Sequence, residues 1–439
     1  MLSAEDNDVL CRVGPGTPMG TLMRHYWIPG ALASELPDAD GAPMRLRLLG
    51  EDLIAFRVSS GQIGVIQNNC PHRGASLFFG RNEEEGLRCV YHGWKFNVDG
   101  ACVDMPNEPA ESDFKTKVTA AAYRARERGG VVWVYLGPNQ ADPPPLPDLE
   151  ANMLPEGQYA LGIFQRECNY MQALEGDIDT GHTVFLHTGH LSVKDAPSGS
   201  WGYAALADRA PHYRAVDTNV GTMYTAYRPA GEDIYYRIAQ FLFPFYTMIP
   251  TGVLGLEVRV RAWVPIDDGH CFGLGMHKVA SVDTPGGGRP FRDPTKLLPN
   301  TTDWLGRFRT EANARNDFLI DRDKQRRLES YTGLPSITIE DQAVTESMGE
   351  IYDRTQEHLG TSDTMIIRTR RRMIEAAKAL RDGGVLPPAW NDPKAYGVRT
   401  GGILLPTGVD WVAGSADLRR GFVDHPELSR QVLGGIPAV

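Results

Sequence analysis

No run of eighteen or more apolar residues occurs in this 439-residue chain, which excludes a membrane-spanning helix. Basic charge is in short supply: 45 Lys and Arg stand against 55 Asp and Glu, a net charge of −10. With a pI near 5.6, nucleic acid and anionic membrane are poor candidates for the main partner. The opening residues MLSAEDNDVL have no basic segment and no apolar segment, so they are not expected to act as a secretory signal. Cysteine is sparse, with six residues at 11, 70, 89, 102, 168 and 271 and no framework spacing. That usage suits a reducing cytoplasm, with Cys11, Cys102, Cys168 and Cys271 expected as free thiols. No G-x-G-x-x-G follows a strand, so no nicotinamide- or flavin-binding element is expected. No internal repeats are evident. The hydrophobic fraction of 42% is enough for a sizeable core, and the length suits two domains.

The stretch that organises the rest is Cys70-x-His72, sixteen residues, then Cys89-x-x-His92. A structural zinc site of two Cys and two His is one reading. The other is a Rieske [2Fe–2S] centre, where two thiolates hold one iron and two imidazoles the other. Zinc sites usually pair Cys with Cys and His with His. Here each cluster supplies one of each, as two facing loops would for a group with an all-Cys end and an all-His end. Gly74 and Gly93 are expected to let backbone N–H groups approach the sulfurs.

Residues 1–26 read as a helical lead-in, with a turn opened by Thr17-Pro18. Residues 27–140 are β-rich: Met44-Arg-Leu-Arg-Leu-Leu and Leu53-Ile-Ala-Phe-Arg-Val alternate, Ile63-Gly-Val-Ile follows, and Val131-Val-Trp-Val-Tyr-Leu reads as a buried strand. The prolines of 141–150 mark a linker. Beyond it, 151–439 form the second domain: 165–190 are expected to be helical, 220–280 to be strands, and Ser362 to Leu380 to be a long basic helix. Thr284-Pro-Gly-Gly-Gly-Arg-Pro reads as a loop and a candidate lid. The fold class is therefore α+β, a β-rich domain followed by an antiparallel sheet with helices against it.

A second metal-ligand pattern is Asp179-x-x-His182-x-x-x-x-His187. Two His and a carboxylate are the usual holders of a mononuclear non-haem iron that activates O₂. On an ideal helix Asp179 and His182 share a face. His182 and His187 lie about 140° apart, so both reach one metal only if the helix ends or bulges between them. His187 with His190 is a competing pair. The third ligand has candidates in Asp341, Asp353 and Asp363. Asp363 also suits a simpler role, capping the helix that it opens.

Together with Val13-Gly-Pro-Gly-Thr-Pro-Met-Gly, Gln172-Ala-Leu-Glu-Gly, Glu346-Ser-Met-Gly and His358-Leu-Gly-Thr-Ser-Asp363, these motifs resemble the α (oxygenase) subunit of Rieske non-haem iron ring-hydroxylating oxygenases, in the phthalate 4,5-dioxygenase-like group. The resemblance implies a Rieske domain plus a helix-grip-like catalytic domain. It implies that Cys70, His72, Cys89 and His92 hold the [2Fe–2S] cluster and that His182, His187 and Asp363 hold Fe(II). It gives Asp179 the role of bridge between His182 and His92 of a neighbouring subunit, which requires a homotrimer. In this group two trimers can stack into a hexamer. Electrons are expected from NAD(P)H through a separate reductase carrying flavin and a plant-type [2Fe–2S] centre. Glu175 is a candidate partner near the iron.

The implied reaction is O₂-dependent hydroxylation of an aromatic carboxylic acid, with O-demethylation as the alternative and a non-catalytic Rieske electron carrier as a further one. A carboxylated ring calls for a cation in an apolar pocket, and Arg209 and Arg237 are the candidates.

Overall fold

The computed structural model describes residues 1–190, 209–279 and 295–428. The expected loop from Thr284 to Pro290 lies outside them. Among the described residues no helix is long and apolar enough to cross a membrane.

Two short helices open the chain, α1 (Ala4–Cys11) and α2 (Pro18–Arg24). Ser3 caps the first, and Thr17 caps the second with Pro18 at its first position, where a missing N–H costs nothing. A six-stranded antiparallel sheet follows, built from β1 (Trp27–Leu32), β2 (Met44–Leu48), β3 (Glu51–Arg57), β4 (Ile63–Gln67), β9 (Ala122–Arg128) and β10 (Val131–Tyr135). Its order is β1-β10-β9-β4-β3-β2. Between β4 and β9 a small sheet of β5 (Arg81–Glu83), β6 (Gly86–Arg88), β7 (Lys95–Phe96) and β8 (Cys102–Asp104) carries the cysteine–histidine loops. All five residues of β10 are buried, as its unbroken apolar run requires.

The larger sheet is antiparallel and eight-stranded. Its strands are β11 (Tyr159–Arg166), β12 (His212–Asp217), β13 (Gly221–Ala230), β14 (Asp233–Leu242), β15 (Tyr246–Met248), β16 (Arg259–Pro265), β17 (Cys271–Lys278) and β18 (Gly401–Pro406). The order is β11-β17-β16-β15-β14-β13-β12, with β18 added against β14. Helices α3 (Tyr170–Ile178), α4 (Thr183–Leu186), α5 (Ile337–Ser347) and α6 (Thr364–Gly383) complete the frame. The α+β plan expected from the sequence is the plan observed. The expected helix over 165–190 is instead the end of a strand, then α3, a break and α4.

One core joins both sheets. Trp27, Trp133 and Trp263 are fully buried in the same apolar cluster as Leu10, Leu22, Leu242 and Met373. Each aliphatic side chain so enclosed contributes roughly 1.5–3 kcal/mol. The opening helices belong to this core: Lys378 of α6 meets Asp6 at 2.6 Å, and Asn169 Nδ2 donates to the Cys11 carbonyl at 2.8 Å. A second, smaller core of Ile54, Phe56, Leu77, Leu87, Trp94 and Phe96 lies under the cysteine loops and includes Cys70 and Cys89.

Candidate metal centres

The two cysteine–histidine loops are built alike. Cys70 N donates to Ala75 O at 2.8 Å and Gly74 N to Cys70 O at 2.9 Å; Cys89 N donates to Trp94 O and Gly93 N to Cys89 O, both at 2.9 Å. Each loop folds back at a left-handed residue, Gly74 at φ 76° and Gly93 at φ 81°. The glycines' own N–H groups close the loops. At Gly93 a Cβ would also meet the Pro106 ring at 2.6 Å.

The loops bring Cys70, His72, Cys89 and His92 together. The two imidazole centroids are 4.4 Å apart, and His72 stacks on Trp94 at 4.3 Å. Burial, with Cys89 adjacent, pushes the Cys70 thiol up to about 11. His72 Nδ1 is buried and has no hydrogen-bond partner. A buried thiol pair beside an unsatisfied imidazole nitrogen fits a two-Cys, two-His iron–sulfur cluster. Tyr91, next to His92, is 53% exposed, so the histidine end of the site lies at the surface.

The second site forms where α3 stops. Asn169 caps the start of this helix, and its body is held by buried polar residues. Asp177 accepts from Thr247 Oγ1, Arg261 Nη1 and Trp263 Nε1, each at 2.7 Å. Gln172 Nε2 donates to Thr345 O and Gly349 O. Glu175 pairs with Arg354 at 3.0 Å and with Arg370 at 2.5 Å, and Arg370 also meets Glu357. Burial alone would raise the Glu175 carboxyl, but the two guanidiniums outweigh it and hold it below the usual range. The candidate role of Glu175 beside the iron is thus corrected to an ion-paired anchor of α3.

Asp179 leaves the helix with extended backbone, φ −85° and ψ 103°. His182 and His187 then stand at the two ends of α4. This is the helix break that the spacing demanded, and it brings His182 Nε2 to 3.2 Å from His187 Nε2. Asp341, on α5, completes the group: its Oδ1 is 3.6 Å from His182 Nε2 and 3.3 Å from His187 Nε2. Among the described residues these three are the group that could hold a metal ion.

Asp363 does not join them. Its Oδ2 accepts from Gly360 N at 2.6 Å and so closes the 361–363 turn, while its side chain makes no capping bond to α6, which starts at the next residue. The sequence expectation grouped Asp363 with the two histidines; the structure places Asp341 with them instead. Asp353 bonds to Thr355 at 2.7 Å in its own turn. His190 turns away, with Nε2 3.2 Å from the Leu334 carbonyl.

Burial works against a charged His187 ring, but Asp341 and Glu340 raise it to about 9. The same contacts lower Asp341 despite its own desolvation. Two imidazole nitrogens and one carboxylate facing a common point are the donor set of a non-haem ferrous site. Asp179 Oδ2 stands 3.5 Å from His182 Nδ1 while Oδ1 accepts from Gly181 N at 2.7 Å. Sequence reasoning missed Glu340, whose Oε2 lies 2.8 Å from His187 Nδ1. The signal was present as an acidic pair, Glu340-Asp341, in an otherwise apolar helix start.

Both candidate arginines reach this segment. Arg237 Nη1 donates to Thr180 Oγ1 at 2.6 Å, and Thr180 in turn bonds the Tyr224 hydroxyl. Arg209 lies over the Phe185 ring of α4 at 5.3 Å.

Residues 26–121 match the family described as "Rieske [2Fe-2S] domain", and residues 134–412 the one described as "LigXa C-terminal domain like". The chain is 46% identical to the 3-chlorobenzoate-3,4-dioxygenase oxygenase subunit of Comamonas testosteroni, over 94% of this chain and 97% of that protein. It is 37% identical to the phthalate 4,5-dioxygenase oxygenase subunit of Pseudomonas putida, over 87% and 88%. Among solved structures, the oxygenase–ferredoxin complex of carbazole 1,9a-dioxygenase shares the fold, with a TM-score of 0.55 at 21% identity over 87% of this chain and 94% of that one. The chain belongs to the α subunits of Rieske non-haem iron oxygenases, which carry a Rieske [2Fe–2S] cluster and a mononuclear iron.

Proposed function

We propose that the chain is the terminal oxygenase of a system that hydroxylates an aromatic carboxylic acid with O₂, as a phthalate-like cis-dihydroxylation. Residues 27–140 form the unit that receives electrons and 151–439 the unit that holds the substrate. Cys70, His72, Cys89 and His92 hold the cluster, and His182, His187 and Asp341 hold the iron. The iron supplies O₂ activation. The carrying observation is the juxtaposition of this His–His–Asp group with Arg237, a cation one residue from Asp179 through Thr180. Arg237 binds the substrate carboxylate as an ion pair, with Arg209 beside Phe185 as a second cation. Tyr224 and Tyr235, buried close to Arg237, are the aromatic side chains we assign to border the ring.

Asp179 sits against His182 on one side and keeps a 27% exposed side chain on the other. That geometry supports its role as the link to His92 of a neighbouring subunit in a head-to-tail trimer, alone or stacked as a hexamer. The electrons come from a separate NAD(P)H reductase with flavin and [2Fe–2S] centres, in keeping with a chain that has no nucleotide fingerprint.

A second reading is O-demethylation of a methoxylated aromatic acid. It is favoured by 31% identity to the 5,5'-dehydrodivanillate O-demethylase oxygenase subunit of Sphingobium, over 90% of this chain and 83% of that protein. A single turnover decides between them. The reduced enzyme is freed of reductant, mixed with chlorobenzoates, phthalates or methoxybenzoates, and given ¹⁸O₂. Two labelled oxygens on adjacent ring carbons support dihydroxylation, whereas a phenol with formaldehyde supports demethylation.

A further inference from the structure

Glu340 is fully buried in the first turn of α5. Its Oε2 faces His187 Nδ1 at 2.8 Å, and its Oε1 accepts from Thr332 Oγ1 at 2.5 Å. His190 Nε2 is 3.8 Å from Oε1. None of these partners is a permanent cation. With Nδ1 turned to Glu340, the other ring nitrogen is the one that faces His182 and Asp341.

Thr332 makes the arrangement specific. It fixes the second carboxylate oxygen, and its loop is tied to the His187 end of α4, where Tyr331 N donates to Thr188 O at 3.0 Å. Ser336 caps α5 by accepting from Ile339 N at 3.3 Å. Arg166 braces the same helix, with Nη1 donating to Thr345 Oγ1 at 2.8 Å. Glu340 and Asp341 are therefore held on one turn, one carboxylate at Nδ1 of the imidazole and the other beside its Nε2.

We propose that Glu340 is a positioning residue of the iron site. By holding Nδ1 it keeps His187 in the Nδ1–H tautomer and leaves Nε2 turned toward His182 and Asp341, where the metal would be held. The proposal rests on the reading of His182, His187 and Asp341 as iron ligands. It concerns affinity for the metal, so it is measurable without turnover.

The test is anaerobic Fe(II) titration of protein stripped of mononuclear iron but retaining its cluster, for wild type, Glu340→Gln, Glu340→Leu and His187→Ala. Cluster absorbance and thermal melting are followed alongside. The expected result is Fe(II) binding weakened about 10- to 100-fold in Glu340→Gln, and at least as much in Glu340→Leu, with the cluster and the melting temperature held. Affinity within about twofold of wild type in both variants overturns the proposal. So does loss of the cluster together with the iron, which would mark Glu340 as a residue of the fold. Weak binding by His187→Ala beside wild-type binding by the Glu340 variants removes the proposal alone. Wild-type binding by His187→Ala removes the ligand reading itself.

Discussion

The two proposed metal sites are assembled in opposite ways. The cluster site is local: its four residues come from two short loops with matching hydrogen bonds, within 23 residues of chain from Cys70 to His92. The iron site is not: two residues flank α4, and the third arrives from α5, far along the chain. A local site writes its geometry into residue spacing, because the loop fixes which side chains meet. A site closed by a distant helix leaves the last partner to tertiary packing.

The largest effects should separate the two sites. Cys89→Ser should abolish the Rieske absorbance and leave about one iron per chain, read by metal analysis. Asp341→Ala should do the reverse, keeping the cluster spectrum while steady-state turnover falls to background. Asp179→Asn should retain both metals and still lose nearly all turnover, since it touches the link rather than either site. Substantial steady-state activity in that variant would remove the bridging role.

Smaller effects probe the frame around the iron. Glu175→Gln leaves Arg354 and Arg370 facing a neutral amide in the interior, with an expected loss of about 3–5 kcal/mol in denaturant unfolding. The pH dependence has a definite sign. Because the folded Glu175 carboxyl is held below its ordinary 4.5, its contribution is full above that value and is lost as pH falls through the lower folded one. Glu175→Gln should therefore flatten the acid limb of stability against pH. Asp363→Asn should cost about 1 kcal/mol at most, through a weakened bond to Gly360 N, and leave the iron in place.

This contrast also governs what the sequence made legible. The alternating strands, the helical lead-in and the long α6 followed from periodicity and end signals. The two Cys–His loops followed from spacing. A break between His182 and His187 followed from helical geometry if both were to reach one metal. Asp341 was legible only as one of three aspartates, because nothing local ties α5 to α4. Asp363 drew attention through its place in the His358-Leu-Gly-Thr-Ser motif, yet its carboxylate is spent on the Gly360 N–H. Glu340 was hidden for the same reason as Asp341, since its partner His187 lies 153 residues away. Glu175 was seen as a carboxylate of interest, but its two arginines come from separate segments that only the fold brings together.

The measurement that bears most directly on the account is iron per chain in purified Asp341→Asn and Asp363→Asn, prepared side by side with wild type. The account predicts about three iron atoms for wild type and Asp363→Asn and about two for Asp341→Asn, with the Rieske spectrum equal in all. Two irons in Asp363→Asn and three in Asp341→Asn would contradict it and return the third ligand to the start of α6.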